Sequence, residues 1–307
     1  MNRSRNFSLH DLALAGVITL GTTLRFWHLD LKPLWLDEVL TALFSLGRSY
    51  QNVPLEAVFS LSTLQHLFEL QPDISCSEIA QAVATQSTHP PVFFCLMHQW
   101  LSWLEPVTQS LSWKLRSLPA LFGVSAIATL YCLNRLAFSR KAGLMGAALM
   151  AVSPFGVYLS QEARHYTLPM LLISLALLGL IQIQQDLFHR QQLPGLAVLL
   201  GWVFVNSIGL YVHYFFILAF IAQLITLTVL LCRGYRLLPH GSIIAIGLAI
   251  LSVALSYLPW LPVLLGHMGR SETDWVPPPQ NVAPVFQTLS SWLTMVIILP
   301  IEALLPA

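Results

Sequence analysis

Two adjacent carboxylates, Asp37 and Glu38, follow the first long apolar segment of the chain. Neighbouring carboxylates at a membrane surface could serve as a general base or as metal ligands. The competing interpretation is a helix N-terminus, where acidic side chains stabilise the unpaired amides and the macrodipole. The dipeptide alone leaves both interpretations open.

The densest polar cluster lies at residues 160–166, where Glu162, Arg164 and His165 stand between two apolar segments. A Glu–Arg pair could do no more than close this loop. Yet a short connection between two apolar helices needs no acid, base and imidazole in succession. Charged groups cost about 2.5–3.5 kcal/mol at the centre of a membrane helix and less at its ends, so those that are kept are usually functional. We therefore favour a polar substrate site.

Three further motifs are weak when each is taken alone. His89, in the sequence Thr-His-Pro-Pro, could donate to a phosphate or an acceptor hydroxyl, although a simple turn explains it equally well. Arg116 could present its planar fork to a phosphate or extend to the lipid headgroups. His213 and Tyr214 lie between two apolar segments, where such residues are typical interfacial anchors.

Metal, nucleotide and nucleic-acid signatures are missing from the sequence. It contains no HExxH or CxxC motif and no phosphate-binding glycine loop, so we expect no required cofactor, and a divalent metal is compatible but not indicated. A net charge of +1 gives no basic stripe for nucleic acid. The four cysteines make no disulfide framework; Cys76 and Cys95 could pair but need not.

The composition excludes an ordinary soluble domain, because 9% of the residues are charged, against about a quarter in such domains. A membrane-spanning helix needs about 20 mostly apolar residues. Seven or eight segments meet this length, near residues 9–29, 115–137, 142–159, 166–184, 196–212, 215–232, 243–265 and, less clearly, 285–305. We predict an all-α integral membrane protein, one domain over residues 1–307, with about eight transmembrane helices and the first acting as a retained signal anchor.

Lysines and arginines in short loops predict the orientation. With a cytoplasmic N-terminus, the loops at 135–141, 186–192 and 233–239 are cytoplasmic and carry six of the basic residues. The apolar segment 92–104 is then a juxtamembrane or re-entrant helix, because a full crossing would place Arg140 and Lys141 outside. The candidate site residues all fall on the extracytoplasmic face of what we expect to be the plasma (inner) membrane.

Two long outer loops are expected. In the first, residues 30–91, apolar positions at helical spacing between Ala57 and Phe68 predict one or two helices on the membrane surface. The second, residues 266–284, carries three consecutive prolines and should be stiff and irregular. The chain ends soon after its last apolar run, which suggests a short or truncated form.

The order of the motifs is more specific than any one of them. Asp-Glu, His-Pro-Pro, Arg-Ser-Leu-Pro-Ala-Leu-Phe-Gly, Ser-Gln-Glu-Ala-Arg-His-Tyr and Tyr-Val-His-Tyr-Phe follow one another along residues 12–262. This series resembles the dolichyl-phosphate-mannose protein mannosyltransferase-like superfamily, and within it the bacterial aminoarabinose lipid A transferases. Members usually continue with more membrane helices and often a soluble outer domain, which this sequence lacks.

The resemblance implies a GT-C glycosyltransferase fold and a sugar donor carried on polyprenyl phosphate. It implies that Asp37 is the catalytic carboxylate and that Glu38 completes the acidic dipeptide. It also implies that Arg116 and Arg164 meet the donor phosphate. The residues expected to bind substrate are His89, Arg116, Glu162, Arg164, His165, Tyr166, His213 and Tyr214.

The expected reaction is one direct displacement with inversion at the anomeric carbon. Asp37 would take the proton of the acceptor while arginines stabilise the leaving polyprenyl phosphate. The partners are then the sugar lipid, the bilayer and an acceptor that is a protein, lipid or glycan. The alternatives are a transporter or flippase of an amphipathic solute, and a non-catalytic membrane subunit. Transporters hold their ionisable residues near the midplane, between related halves, and this sequence shows neither feature.

Overall fold

The computed structural model describes residues 8–54, 56–234, 238–270 and 286, and the regular elements of these residues are helical. A π-helical turn, Gln185–His189, prolongs α9, and a 3-10 turn, Leu258–Trp260, joins α12 to α13. In chain order the α-helices are α1 (Leu9–Phe26), α2 (Leu36–Ser45), α3 (Leu61–Leu67), α4 (Cys76–Gln86), α5 (Val92–Trp103), α6 (Leu111–Ala137), α7 (Arg140–Val152), α8 (Pro154–Ser160), α9 (Thr167–Gln184), α10 (Leu196–Val212), α11 (Phe216–Gly234), α12 (Ser242–Tyr257) and α13 (Leu261–Met268).

The long helices form one bundle around α6, α9 and α10. Helix α6 packs against α1, α7 and α9, while α10 packs against α9, α11 and α12. Apolar residues of these helices form a continuous core that also includes Ala42 of α2 and Met97 of α5. Inside it, Gln223 accepts from the indole N–H of Trp202 (2.8 Å) and donates to Asn206 (3.0 Å). Such polar contacts hold helices together where hydrophobic association is weak.

Among the described residues, four helices are long and apolar enough to cross a membrane: Leu111–Ala137, Thr167–His189, Phe216–Gly234 and Ser242–Met268. They agree with four of the predicted spans. Leu196–Val212 is shorter, and α1 is not among the four because its polar residues lower its hydropathy. The predicted total of about eight is therefore not confirmed. The predicted span at 285–305 lies outside the described residues, as does most of the second outer loop.

The predicted span 142–159 is a broken one. Helices α7 and α8 meet at an angle of 61° around Ser153. The break follows from Pro154, which has no N–H to continue the helix. The hydroxyl of Ser153 instead accepts from the amide of Gly156 (3.1 Å) and caps α8. Counting the pair as one span gives five candidate spans in the described part of the chain.

The first outer loop holds more helix than the apolar spacing predicted. Helix α3 lies inside the predicted stretch, α2 agrees with the helix N-terminus that was one of the two interpretations of Asp37 and Glu38, and α4 was not predicted. A capping box starts α4: Ser75 accepts from the amide of Glu78 (3.3 Å), and Glu78 accepts from the amide of Ser75 (2.8 Å). Helix α5 has 12 residues and is shorter than a full crossing, as expected of the segment 92–104.

Cys76 and Cys95 form a disulfide, with their Cα atoms 5.3 Å apart. The bond joins the first residue of α4 to the first turn of α5. The sequence left this pairing open. Because the bond closes a loop that contains residues 88–91, it restrains the His-Pro-Pro segment against both helices.

Candidate active site

Glu38 and Arg116 form a buried ion pair at the centre of the polar region. Glu38 is fully buried in the first turn of α2, and Arg116 lies in the second turn of α6. The guanidinium donates to the carboxylate through Nε (2.8 Å) and Nη2 (2.6 Å). Its other three N–H groups donate to the carbonyls of Leu29 (2.7 Å), Lys32 (2.9 Å) and Pro33 (3.1 Å). All five donors of Arg116 are thus satisfied within the protein.

The same Glu38 carboxylate organises two further segments. It accepts from the amide of Ala163 (2.7 Å), in the loop between α8 and α9, and from the amide of Trp35 (3.3 Å), which precedes α2. The helix N-terminus interpretation of the acidic dipeptide is therefore confirmed for Glu38. Its predicted catalytic role stays a prediction, and its burial favours a role in holding the site together.

Asp37 faces a different environment from its neighbour. Its side chain is 36% exposed, and Oδ2 lies 3.7 Å from Nη2 of Arg164. Arg164 is itself buried and donates through Nη1 to the carbonyl of Asp37 (3.2 Å) and the hydroxyl of Thr41 (3.1 Å). Its Nε is also buried and has no hydrogen-bond partner within the described residues. The pair combines an accessible base with a cation that has an unused donor.

Three histidines pack beside Arg164. The buried ring of His165 lies between those of His89 and His213, with ring centroids 5.2 and 4.7 Å away. The Nε2 atom of His89 is 3.4 Å from Nη2 of Arg164, and the ring of Tyr166 lies 5.7 Å from the same guanidinium. The polar loop thus presents its residues to the His-Pro-Pro segment and to the loop after α10.

Burial keeps these imidazoles neutral. Desolvation, with the charge of Arg164 adding to it, lowers the pKa of His89 to about 4 and also lowers the pKa of His213. Burial of its ring also holds the pKa of His165 well below the usual value, with His89 and Arg164 adding to the effect. Nδ1 of His213 accepts from the amide of Phe215 (3.0 Å), so its neutral ring carries the proton on Nε2. Near pH 7 these rings offer hydrogen bonds without adding positive charge.

An apolar cavity of about 530 Å³ opens next to the histidines. His89, His213 and Tyr214 form its polar edge. The apolar side is built by residues of α10 to α13 and the loops between them, including Leu210, Ile217, Tyr257, Leu264 and Met268. The arrangement fits an amphipathic ligand with its polar end toward Arg164.

The far side of this cavity is closed by contacts of α13 with α4. Nε2 of His267 donates to the carbonyl of Ala84 (2.9 Å), which leaves Nδ1 to accept from the hydroxyl of Tyr214 (2.6 Å). Arg270 donates to the carbonyls of Ala84 and Ser87 (both 2.7 Å). The sequence analysis missed His267 and Arg270, since nothing in their local pattern indicates a contact with residues more than 180 positions away.

Glu162 belongs to a second flank of the polar region. It is buried, and its carboxylate accepts from the indole N–H of Trp35. Burial and the nearby charge of Glu38 raise its pKa, while Lys32, whose Nζ lies 5.6 Å from the ring of Tyr158, opposes the shift. Glu162 is thus coupled to the buried ion pair. Lys32 and Trp35 are the other residues near it that the sequence analysis missed, although Trp35 stands in the same motif as Asp37.

The predicted residues therefore separate into three groups. His89, His213 and Tyr214 line the cavity edge. Arg164 and His165 pack against these histidines, with Tyr166 and Asp37 beside Arg164. Glu38 and Arg116 form a packed wall, and Glu162 lies on its own flank. Within the described residues no group of three or more His, Cys, Asp or Glu side chains could hold a metal ion. That the protein requires no metal stays a prediction.

A family model described as dolichyl-phosphate-mannose-protein mannosyltransferase matches residues 88–260. The match spans more than half of the chain, so the chain belongs to this family of membrane glycosyltransferases, and the family resemblance read from the order of the motifs is confirmed. His89, Arg116, Arg164 and His213 lie inside the matched residues, whereas Asp37 lies before them. No curated protein and no solved structure matches the chain.

Proposed function

We propose that this member of the dolichyl-phosphate-mannose-protein mannosyltransferase family transfers a sugar from a polyprenyl-phosphate donor to an acceptor. The observation that carries the proposal is the partly exposed carboxylate of Asp37 beside Arg164, whose guanidinium adjoins His89 at the polar edge of an apolar cavity. An accessible base, a cation and a place for a lipid chain occur together. These are the three elements that displacement of a lipid phosphate from a sugar requires.

The cavity accounts for the lipid part of the donor. Burial of each CH₂ group contributes about 0.8 kcal/mol, so an apolar pocket of this size can hold part of a polyprenyl chain. With the chain there, the phosphate comes to the side of His89 and His213. The unused Nε–H of Arg164 and the Nε2–H of His213 are donors for its oxygens. Donors fixed in a site of low dielectric stabilise the charge that develops on the departing phosphate.

Asp37 accounts for activation of the acceptor. Its carboxylate takes the proton of an acceptor hydroxyl or amine as that atom forms a bond to the anomeric carbon. The bond from this carbon to the phosphate oxygen breaks, and its electron pair stays on the phosphate. Because one displacement occurs from the face opposite the leaving group, the configuration at the anomeric carbon inverts. The acceptor, a protein, lipid or glycan, approaches from the exposed side of Asp37.

Two observations support an extracytoplasmic site in the plasma membrane. A disulfide in the first outer loop is typical of an oxidising compartment. The basic residues of the short loops at the opposite helix ends follow the rule for cytoplasmic loops. Both support the proposal that Asp37 and the cavity lie on the outer face, with the N-terminus in the cytoplasm.

The test uses the purified full chain in liposomes that contain polyprenyl phosphate carrying a radiolabelled sugar. We expect release of the sugar from the lipid, to water or to an added acceptor mixture, and loss of this release in Asp37→Asn. Asp30→Asn, which removes an exposed acid seven residues earlier, is the matched control and should keep the activity. Movement of the intact lipid across the bilayer without cleavage would indicate a transporter instead. If the lipid is neither cleaved nor moved, the result would indicate a non-catalytic subunit.

A further inference from the structure

Arg25 is a fully buried arginine in α1, a helix that the candidate site does not otherwise use. Its Nη1 donates to the carbonyls of Gly21 (3.1 Å) and Ala151 (3.0 Å), and its Nη2 donates to the carbonyl of Met150 (2.8 Å). An arginine near a helix end commonly extends toward the lipid headgroups. This one points into the bundle.

The carbonyls that Arg25 reaches belong to the break between α7 and α8. The carbonyl of Met150 lies four residues before Pro154, which has no N–H to donate to it. The carbonyl of Ala151 is in the last turn of α7, where carbonyls lack partners within the helix. Arg25 thus supplies donors where the 61° bend removes them.

The surroundings of the guanidinium are built to admit it. A Cβ atom on Gly123 would clash with Oγ of Ser160 in α8 and would lie 2.9 Å from Nε of Arg25, so this glycine lets α8 and the arginine approach α6 together. Gly156 is in ordinary contact with the guanidinium, since its Cβ would lie 3.4 Å from Nη2. A charged side chain in such a place is costly, and those that are kept within membrane segments are usually tied to function.

Gln161 fastens the opposite end of α8 to the same helix. Its Nε2 donates to the carbonyls of Leu24 (3.0 Å) and Trp27 (3.0 Å), at the C-terminal end of α1. Helix α8, seven residues long, is therefore fixed to α1 before its first residue and after its last. The loop with Arg164 follows Gln161 directly, so the placement of α8 sets the placement of that loop.

We propose that Arg25, together with Gln161, is a positioning residue that holds α8 so that the following loop presents Arg164 and His165 beside Asp37. The part of this inference that concerns catalysis rests on the proposed function. The part that concerns the loop does not. Arg25 acts through the backbone of the α7–α8 break and touches no reacting group.

The experiment is hydrogen–deuterium exchange on the full-length Arg25→Lys protein. Lysine keeps the charge but lacks the planar fork that reaches both carbonyls. We expect exchange at residues 156–166 to rise about tenfold while residues 213–217 stay unchanged, because local opening is separable from global unfolding. Gln223→Met, which breaks a buried polar network in α10 and α11, is the matched control and should leave 156–166 unchanged.

Activity supplies the second readout. Release of labelled sugar from polyprenyl phosphate should fall on the order of a hundredfold in Arg25→Lys, since small displacements of catalytic groups have effects of this size. In a protein that already carries Arg164→Lys, adding Arg25→Lys should reduce sugar release by less than about twofold. The reason is that Arg25 acts through the placement of Arg164, so its effect is lost once Arg164 is replaced. Additive losses would indicate a general structural role and overturn the proposal.

A second variant covers the case in which Arg25→Lys does not fold. Gln161→Met lies at a partly exposed position and removes only the amide donors; it should raise exchange at 156–166 in the same direction, by less. Unchanged exchange at 156–166, or a rise at 213–217 as well, overturns the proposal. If exchange rises locally but the wild-type protein releases no sugar, the positioning of the loop stands and the proposed function fails.

Discussion

Two arginine–carboxylate pairs start from neighbouring residues of α2 and differ in almost every respect. Glu38 and Arg116 are buried, and all five guanidinium donors are used within the protein. Asp37 is half exposed, Arg164 lies 3.7 Å from it, and Nε of Arg164 is without a partner within the described residues. Successive helical residues point about 100° apart, so adjacent acids meet different surroundings.

The difference separates a packed wall, which uses all its hydrogen-bond donors, from an edge that keeps a donor unused among the described residues. A fully satisfied buried pair has no donor left for a ligand, and its value lies in fixing the segments that it joins. An incompletely satisfied pair next to a cavity has capacity for substrate atoms. Each pair combines one acid with one arginine, so residue type does not distinguish them. They differ in how exposed the carboxylate is and in whether all guanidinium donors have partners.

The largest expected effect on activity comes from Asp37→Asn. Loss of a general base should reduce kcat by about 10²–10⁴-fold. The Tm should hardly change, because the half-exposed carboxylate is 3.7 Å from Arg164 and fixes no backbone group. Measurements of sugar release and of thermal unfolding, both in detergent, test the expected loss of kcat and the expected constancy of the Tm. A kcat near that of the Asp30→Asn control would remove Asp37 from the reaction.

The other pair should respond in stability. Arg116→Met leaves the buried Glu38 carboxylate without its partner, so the free energy of unfolding should fall by about 3–5 kcal/mol. Denaturant unfolding in detergent measures the change. Arg140→Met removes a solvent-exposed pair with Asp11, 3.5 Å long, and should leave the free energy of unfolding nearly unchanged, because water and salt screen such pairs. Equal losses in the two variants would contradict the division into wall and edge.

Arg164→Lys sharpens the comparison from the catalytic side. Lysine keeps the charge but loses the fork, so kcat should fall by about tenfold to a hundredfold. The free energy of unfolding should change less than in Arg116→Met, because Lys keeps a cation beside Asp37 and the carboxylate of that residue is partly exposed, whereas Arg116→Met leaves a buried carboxylate unpaired. A stable, fully active Arg164→Lys protein would show that the guanidinium does not meet the phosphate.

The disulfide tests the support of the His-Pro-Pro segment. Replacing Cys76 and Cys95 together by serine should lower the free energy of unfolding by about 3 kcal/mol, as expected for a closed loop of this length. Differential scanning calorimetry with and without reductant measures it. Serine at the unpaired Cys132 and Cys232 is the control, and these changes should have little effect. A wild-type Tm that does not respond to reductant would argue against the bond.

The smallest effect is a pH dependence of stability from His89. Its folded-state pKa of about 4 lies below the usual 6.5, so between these values the unfolded chain binds more protons than the folded one. Stability should therefore be complete above about pH 6.5 and fall by up to about 1.4 kcal/mol per pH unit below it. Unfolding followed from pH 7.5 to 4.5 should show a smaller slope in His89→Asn. If His89→Asn leaves the pH dependence of the unfolding free energy unchanged, the His89 imidazole is exposed to water in the folded protein.

Much of this arrangement can be predicted from the sequence. Apolar length predicted the four candidate spans, and the topology predicted from the loop charges gave His89, Arg164, His165 and His213 one shared site, where the structure brings them together. The capping box that starts α4 was also present as a Ser-x-x-Glu pattern and was overlooked. These features are local, or they depend on which end of a helix a residue occupies.

The division of labour among the charged residues could not be predicted. Arg116 reaches Glu38 across 78 residues of sequence, and Arg25 reaches its two carbonyls on α7 across 125 and 126. Such partners depend on the rotation and height of packed helices, which apolar periodicity does not specify. The bend at Ser153 was hidden for a related reason, since an apolar run containing Pro154 has the composition of a single span.

The most direct test of the account is photo-crosslinking with a polyprenyl-phosphate analogue that carries a photoreactive group next to the phosphate. In liposomes the full chain should be labelled in the peptides that contain His89 and Arg164, and unlabelled polyprenyl phosphate should compete the labelling away. Labelling confined to the peptide around Arg116 would mean that the packed wall, and not the Asp37–Arg164 edge, receives the donor, and it would contradict the assignment.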